Sequence, residues 1–265
     1  MTAQPQDQIA KPQDQVLPVY IACDTSYSMS GEAIKELNNG LQKLVEKAQE
    51  EVAFGKELRL SIISFNSQAD LIMPLQRVEP KTTVDPLVAQ GVTRYDLALE
   101  LISERIIADY QKIKEAHAKP VRPVVFFFTD GAPTDSQGHI INDMSSWKKK
   151  LEKIEGHPIL APRIYAFGFG QANEKVLQEL TRTRDVTPNS DRVVFGKGEE
   201  VAEIVAGLFV LLYRTIIDAG KVIGSTIDST MNVRQRDVDN AVGKVLDENI
   251  KKPSNSDPFE EWDNW

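Results

Sequence analysis

Asp24, Ser26 and Ser28 stand at i, i+2 and i+4 in the stretch DTSYS, so a roughly extended backbone aims one carboxylate and two hydroxyls the same way. Farther along, Thr93 sits just before a helical pattern, and Asp130 closes the most apolar run of the chain, in FFFTDG. Two carboxylates and three hydroxyls are hard oxygen donors, the set that a Mg²⁺-sized cation takes. The charge is too low for a tight Ca²⁺ cage, whereas Mg²⁺ keeps waters and leaves a coordination position open. The first cluster also reads as a Ser-rich loop capping the next helix, with Ser28 or Ser30 as N-cap and Glu32 in the first turn. On these residues alone both readings stand.

The elements that must position these groups follow from hydrophobic periodicity. Val19 to Cys23 form an apolar run that empties into Asp24, the pattern of a buried strand meeting a loop at its carboxyl end. Ile34, Leu37, Leu41, Leu44, Val45 and Ala48 then recur at helical spacing, and LRLSIISF over 58–65 reads as a second central strand. A turn at Asn66-Ser67 leads to an antiparallel edge strand over 69–73. Leu97, Leu101, Ile102, Arg105 and Ile106 trace a helix reaching about Ala116, with Arg94, Tyr95 and Asp96 expected at the rim of the crevice. A central strand is expected over 121–129, with Pro123 near its start. After it come a helix carrying Trp147, Leu151 and Ile154, a strand over 163–169 and a helix over 173–182. A short strand at 192–195 and a long helix at 199–218 complete the series. Such alternation implies an α/β fold, a doubly wound (Rossmann-like), mostly parallel sheet covered on both faces and carrying one antiparallel edge strand. In that arrangement Asp24 and Asp130 end central strands beside the point where strand order reverses, the usual place for a ligand.

The domain is expected at 17–218. Residues 1–16, with QPQDQ and KPQDQ, have the composition of a disordered segment. Residues 219–265 read as a tail with one short amphipathic helix over 233–250 and an acidic, aromatic end in which Phe259, Trp262 and Trp265 stand among carboxylates. That end reads either as a linear docking motif or as a frayed terminus, and its acids are candidates to compete for the open metal position. A net charge of -8 argues against a general phosphate-backbone binder, so no nucleic-acid partner is expected. No signal peptide or membrane-length apolar run stands out, which points to a cytoplasmic protein without a membrane partner. The one cysteine, Cys23, falls inside a strand and permits neither an internal disulfide framework nor a cysteine-based zinc site. Nucleotide-binding glycine motifs are absent, the phosphatase pattern D-x-D is broken by Ser26, and no histidine lies near Ser28 in sequence to serve as its base.

Three stretches carry a resemblance. DTSYSMSG is similar to the D-x-S-x-S signature of the metal-ion-dependent adhesion site in von Willebrand factor A domains, GVTRYDLAL to that family's second loop, and FFFTDGAPTD to its third. They occur in family order, and the match extends over about 17–218. Among members, the chain most resembles the TerY-like proteins of bacterial tellurite-resistance and stress loci. The resemblance implies that Ser26, Ser28 and Thr93 bind Mg²⁺ or Mn²⁺ (rather than Ca²⁺), with Asp24 and Asp130 acting directly or through water. It implies further that the open position accepts an Asp or Glu of a partner protein, in a phosphosignalling setting where that partner is a kinase or phosphatase. The expected function is thus a metal-dependent interaction module and not an enzyme. A metal-dependent hydrolase and a structural adaptor with an empty site are the alternatives. Tyr27, where relatives often hold Gly, and Arg94-Tyr95-Asp96, where they hold small residues, depart from the family pattern.

Overall fold

The computed structural model describes residues 15–50, 58–182, 192–196, 201–229, 240–242 and 244. The expected disorder of 1–14, most of the helix over 233–250 and the acidic aromatic end lie outside the described residues. Seven strands form one sheet: β1 (Gln15–Asp24), β2 (Leu58–Phe65), β3 (Ala69–Gln76), β4 (Lys119–Pro120), β5 (Val124–Thr129), β6 (Arg163–Gly168) and β7 (Val193–Phe195). Their order is β3-β2-β1-β5-β6-β7, with β4 paired to the start of β1. Among the described residues every strand pairing is parallel except β2 with β3.

Helices cover both faces, and the period-2 alternation of the strands sorts side chains between them. On one face Val19, Ile21 and Cys23 of β1 and Phe126 and Phe128 of β5 meet α1 (Glu32–Glu50) and the long α6 (Val201–Ser229). On the other, Tyr20, Ala22, Val125 and Phe127 meet α2 (Tyr95–Glu115), α3 (Met144–Lys148), α4 (Glu152–Glu155) and α5 (Glu174–Thr181). Gly40 lets α1 and α6 approach closely, because a Cβ there would stand 2.3 Å from the Phe209 ring. Cys23 is fully buried, and burial pushes its thiol pKa far up, the behaviour of a packing residue.

Some boundaries differ from the pattern-based expectation, each for a local reason. The first strand begins inside the segment expected to be disordered, because Gln15 and Val16 are buried and pair with Lys119 and Pro120. The strand is interrupted between β4 and β5, although the Val121 N–H still donates to the Val16 carbonyl at 2.7 Å and the Pro123 carbonyl still accepts from the Arg163 N–H at 2.8 Å. Pro123 has no N–H to donate, and the Arg122 side chain turns to the carbonyls of Ala161 and Pro162. The helix expected over Trp147, Leu151 and Ile154 is split by a 3₁₀ turn at Lys149–Leu151, although all three side chains are fully buried. The last helix runs past 218 to Ser229 with Ala219 and Ile223 buried, and Val242 lies in the same core.

Candidate functional site

β1 and β5 are neighbours, with Cys23 opposite Phe128, so their carboxyl ends deliver Asp24 and Thr129 side by side. Because the chain winds from β1 outward to β2 and β3 before crossing back to β5, this is where strand order reverses. Asp24 is fully buried. One of its oxygens accepts from the Ser26 N–H at 2.8 Å and the other from the Thr129 hydroxyl at 2.6 Å. Chain direction then turns through a 3₁₀ turn at Tyr27–Met29, and Gly31 (φ 89°) makes the corner into α1. In that turn Ser26 Oγ and Ser28 Oγ lie 3.0 Å apart, and Ser28 Oγ donates to Asp130 Oδ1 at 2.7 Å.

Thr93 closes the set. A Cβ built on Gly131 would stand 3.2 Å from Thr93 Oγ1 and 3.8 Å from Ser28 Oγ, so the absence of a side chain at Gly131 keeps these two hydroxyls facing one space. Thr93 Oγ1 makes no hydrogen bond among the described residues, whereas its backbone is fixed on both sides: its N–H donates to Thr134 Oγ1 at 2.9 Å and its carbonyl accepts from the Thr134 N–H at 2.8 Å. The structure thus gathers all five expected residues at one crevice, linked from Asp24 through Ser26 and Ser28 to Asp130, with Thr93 across from Ser28.

Electrostatics at the crevice are one-sided. Burial pushes the Asp24 carboxyl up to about 7, against the hydrogen bonds from Thr129 and Ser26, and the Asp130 charge adds to the rise. Asp130 is likewise raised by burial, opposed by its bond from Ser28. Among the described residues no Lys, Arg or His pairs with either carboxylate. The nearby cation, Arg94, is committed elsewhere, holding Asp96 through two hydrogen bonds of 2.8 and 2.7 Å. Two buried carboxylates with hydroxyls around them and no basic partner form a set that a hard divalent cation would neutralise. Ser26, Ser28 and Thr93 supply the uncommitted oxygen lone pairs, and Asp24 and Asp130 the charge.

Several residues that organise the site carry no signal in the sequence pattern. Asn66, buried, donates to Thr25 Oγ1 at 3.0 Å, and its carbonyl accepts from Arg94 N–H at 3.2 Å, tying the second strand's loop to both other loops. Tyr95 was expected at the rim but is 1% exposed. Its ring packs edge-on against Phe127 and Trp147, and its hydroxyl donates to the Gly131 carbonyl at 3.0 Å, bracing the third loop from beneath. Thr129, although part of the expected T-D-G stretch, matters as the hydroxyl that orients Asp24.

An α/β domain with a hydroxyl-and-carboxylate crevice at its topological switch point is the class that fold and site define. The sequence matches the model of the von Willebrand factor type A domain over residues 19–202, and the chain belongs to that family. Among curated proteins, sequence comparison finds no match. Solved structures with a similar fold include the pilus adhesin SpaC from Lactobacillus rhamnosus GG, with a TM-score of 0.55 and 16% identity over 77% of this chain. A von Willebrand factor type A protein from Catenulispora acidiphila gives 0.54 and 12% over 77%. A mutant of the PilB minor pilin from Streptococcus sanguinis gives 0.50 and 12% over 82%. The matched regions cover 30%, 43% and 64% of those chains, so the likeness is one of domain fold.

Proposed function

We propose that this domain is a metal-dependent protein-interaction module. Mg²⁺ or Mn²⁺ is held by Ser26, Ser28 and Thr93, with Asp24 and Asp130 supplying charge directly or through water, and the remaining position takes an Asp or Glu of a partner protein. The observation that carries this reading is the pair of buried carboxylates, Asp24 held by the Ser26 N–H and Asp130 by the Ser28 hydroxyl, with the two serine hydroxyls 3.0 Å apart between them and no basic partner among the described residues. A metal ion offsets the cost of burying them and still accepts an outside carboxylate. Among the described residues no histidine or lysine bonds the Ser28 hydroxyl, which donates instead to Asp130, and the module is proposed to have no catalysis of its own.

The resemblance to TerY-like proteins supports a bacterial, cytoplasmic role in tellurite resistance or stress phosphosignalling, with a kinase or phosphatase as the partner. Among the described residues no helix is long and apolar enough to cross a membrane. Thermal denaturation with Mg²⁺ against EDTA tests the site: the midpoint rises with the metal in the native chain and does not in Asp24→Ala. Capture of a partner only with Mg²⁺ present supports the interaction role. Metal-dependent turnover of a phosphomonoester would favour the hydrolase alternative, and absence of any Mg²⁺ response would leave a structural adaptor.

A further inference from the structure

We infer that residues 257–265, DPFEEWDNW, bind back onto the site loops of their own chain, placing a carboxylate at the metal and aromatic rings on an apolar rim around it. This rests on the metal-binding reading above and names an occupant for the open position. Among the described residues the exposed large hydrophobic side chains are Tyr27 at 74%, Val88 at 70%, Ile140 at 64% and Val201 at 36%. The first three belong to the three loops that build the crevice. Tyr27 stands between the two serine hydroxyls, with its N–H on the Gly91 carbonyl. Val88 lies between Leu87, whose N–H and carbonyl both bond Asn38 of α1, and Gln90, whose N–H donates to the Thr25 carbonyl. Ile140 bridges to Thr134, the residue that fixes Thr93, and a Cβ on Gly138 of the same hairpin would stand 3.3 Å from Val92.

A single exposed apolar residue calls for no explanation, but one on each of three site loops describes a surface that takes large apolar groups beside a carboxylate. The chain carries that chemistry itself. Within 257–265, Asp257, Glu260, Glu261 and Asp263 alternate with Phe259, Trp262 and Trp265, and the segment holds no Lys or Arg. Its negative charge complements a bound divalent cation. Reach is adequate as well. Val242 is fully buried in the core, and with the expected helix continuing to 250, residues 243–256 still extend over roughly 32 Å, about the length of the ten-residue β1. Tethering raises the local concentration of the segment to about millimolar, so weak contacts suffice. An outside partner must then displace it, which makes the segment a competitor built into the chain.

Tryptophan quenching by acrylamide in the full chain tests this, because the three indoles are Trp147, fully buried, and the two of the segment. Mg²⁺ should protect the indoles of Trp262 and Trp265 relative to EDTA, independently of protein concentration. Protection should disappear when Asp257→Asn, Glu260→Gln, Glu261→Gln and Asp263→Asn are combined, and weaken when Val88→Ser and Ile140→Ser are combined, while Mg²⁺ still raises the melting midpoint of both, by less in the first, which has lost the carboxylate at the metal. A midpoint that rises with Mg²⁺ while the indoles stay as quenchable as in EDTA overturns the inference and leaves the metal site standing. Protection that grows with protein concentration also overturns it, because the segment then docks on a second copy. If Mg²⁺ changes neither readout, the metal site fails and the inference falls with it.

Discussion

Three carboxylates are buried among the described residues, Asp24, Asp109 and Asp130, and the chain treats the first two in opposite ways. Asp109, on α2, is 5% exposed and accepts from the Tyr20 hydroxyl at 3.1 Å, with Lys112 Nζ one helical turn on at 3.6 Å. Burial, the Asp109 charge and that hydrogen bond together push the Tyr20 phenol well above its ordinary range, so it remains a donor at any working pH. Asp24, only four residues beyond Tyr20 on the same strand, has a backbone N–H and a threonine hydroxyl but no cation. A carboxylate that serves only the fold is neutralised from within. One without a counter-charge among the described residues, at the ligand end of the sheet, is where the proposed metal would supply the positive charge.

The sharpest way to break this comparison is to remove each charge by an isosteric change. Asp24→Asn should abolish the Mg²⁺-induced gain, which in the native chain amounts to about 2.7 kcal/mol when the metal is at 100 times its Kd. The same change should leave the metal-free protein no less stable at pH 8, since a buried unpaired charge has been deleted. Asp109→Asn should do the reverse, costing about 1–3 kcal/mol by weakening the acceptor for Tyr20 while leaving the Mg²⁺ response intact. Denaturant titrations of both variants, with and without Mg²⁺, read the difference. Loss of the Mg²⁺ response in Asp109→Asn would end the distinction.

Next in size is the orientation of Asp24. Thr129→Val keeps the shape of the β5 end but removes the hydroxyl that donates at 2.6 Å. Mg²⁺ affinity measured by calorimetry should fall about 10–100-fold, the usual cost of losing a group that orients a ligand. An unchanged affinity would show that the bond belongs to folding alone.

Asp24 also gives the domain a pH dependence. With its folded pKa raised to about 7 from 3.8, Asp24 holds a proton in the native state that the unfolded chain releases. Between those values the folded state binds more protons, so metal-free stability is greatest at the acid end of the window and falls as pH rises through about 7. Mg²⁺ reverses the sign, because it binds the ionised form and its stabilisation grows over the same range. Melting midpoints from pH 5 to 8, compared with those of Asp24→Asn, in which only the shallower dependence from Asp130 should remain, check both slopes.

Much of this was legible in the sequence, and the parts that were not share a cause. β2 and the buried face of α1 follow from hydrophobic spacing because burial on a sheet or helix face is periodic. The five candidate oxygens were legible because strand ends and turn residues mark where side chains leave the core. Tyr95 lies deeper than expected because the buried stripe of α2 is Tyr95, Ala98, Leu99, Ile102 and Ile106, starting two residues, about half a turn, before Leu97. Asn66, Thr25 and Thr134 were missed for a different reason. Their roles are hydrogen bonds between loops far apart in the chain, as from Asn66 to Thr25, and no local pattern encodes such partners. The sequence places the start of β5 too early because Val121 looks like a strand residue; it does bond β1, through its N–H to the Val16 carbonyl, but Arg122 and Pro123 separate it from β5.

The smallest effect concerns the cation that sits near the crevice without neutralising it. Arg94 adjoins Thr93, but its guanidinium is held by Asp96, and that hydrogen bond, with the charges of Asp96 and Asp135, keeps its pKa above the ordinary value. Both side chains are about four-fifths covered, 19% and 21% exposed, so the pair presents little net charge to the site. Arg94→Ala should therefore change Mg²⁺ affinity by less than about 1 kcal/mol, the scale of a partly exposed ion pair. Asp96→Asn should weaken Mg²⁺ binding more than Arg94→Ala does, because it releases a guanidinium whose charge then repels the metal. Low salt should widen the gap, since screening shortens the range of that repulsion. If the order were reversed, with Arg94→Ala the more damaging change, Arg94 would be a positioning residue for Thr93, acting through the bonds of its guanidinium to Asp96.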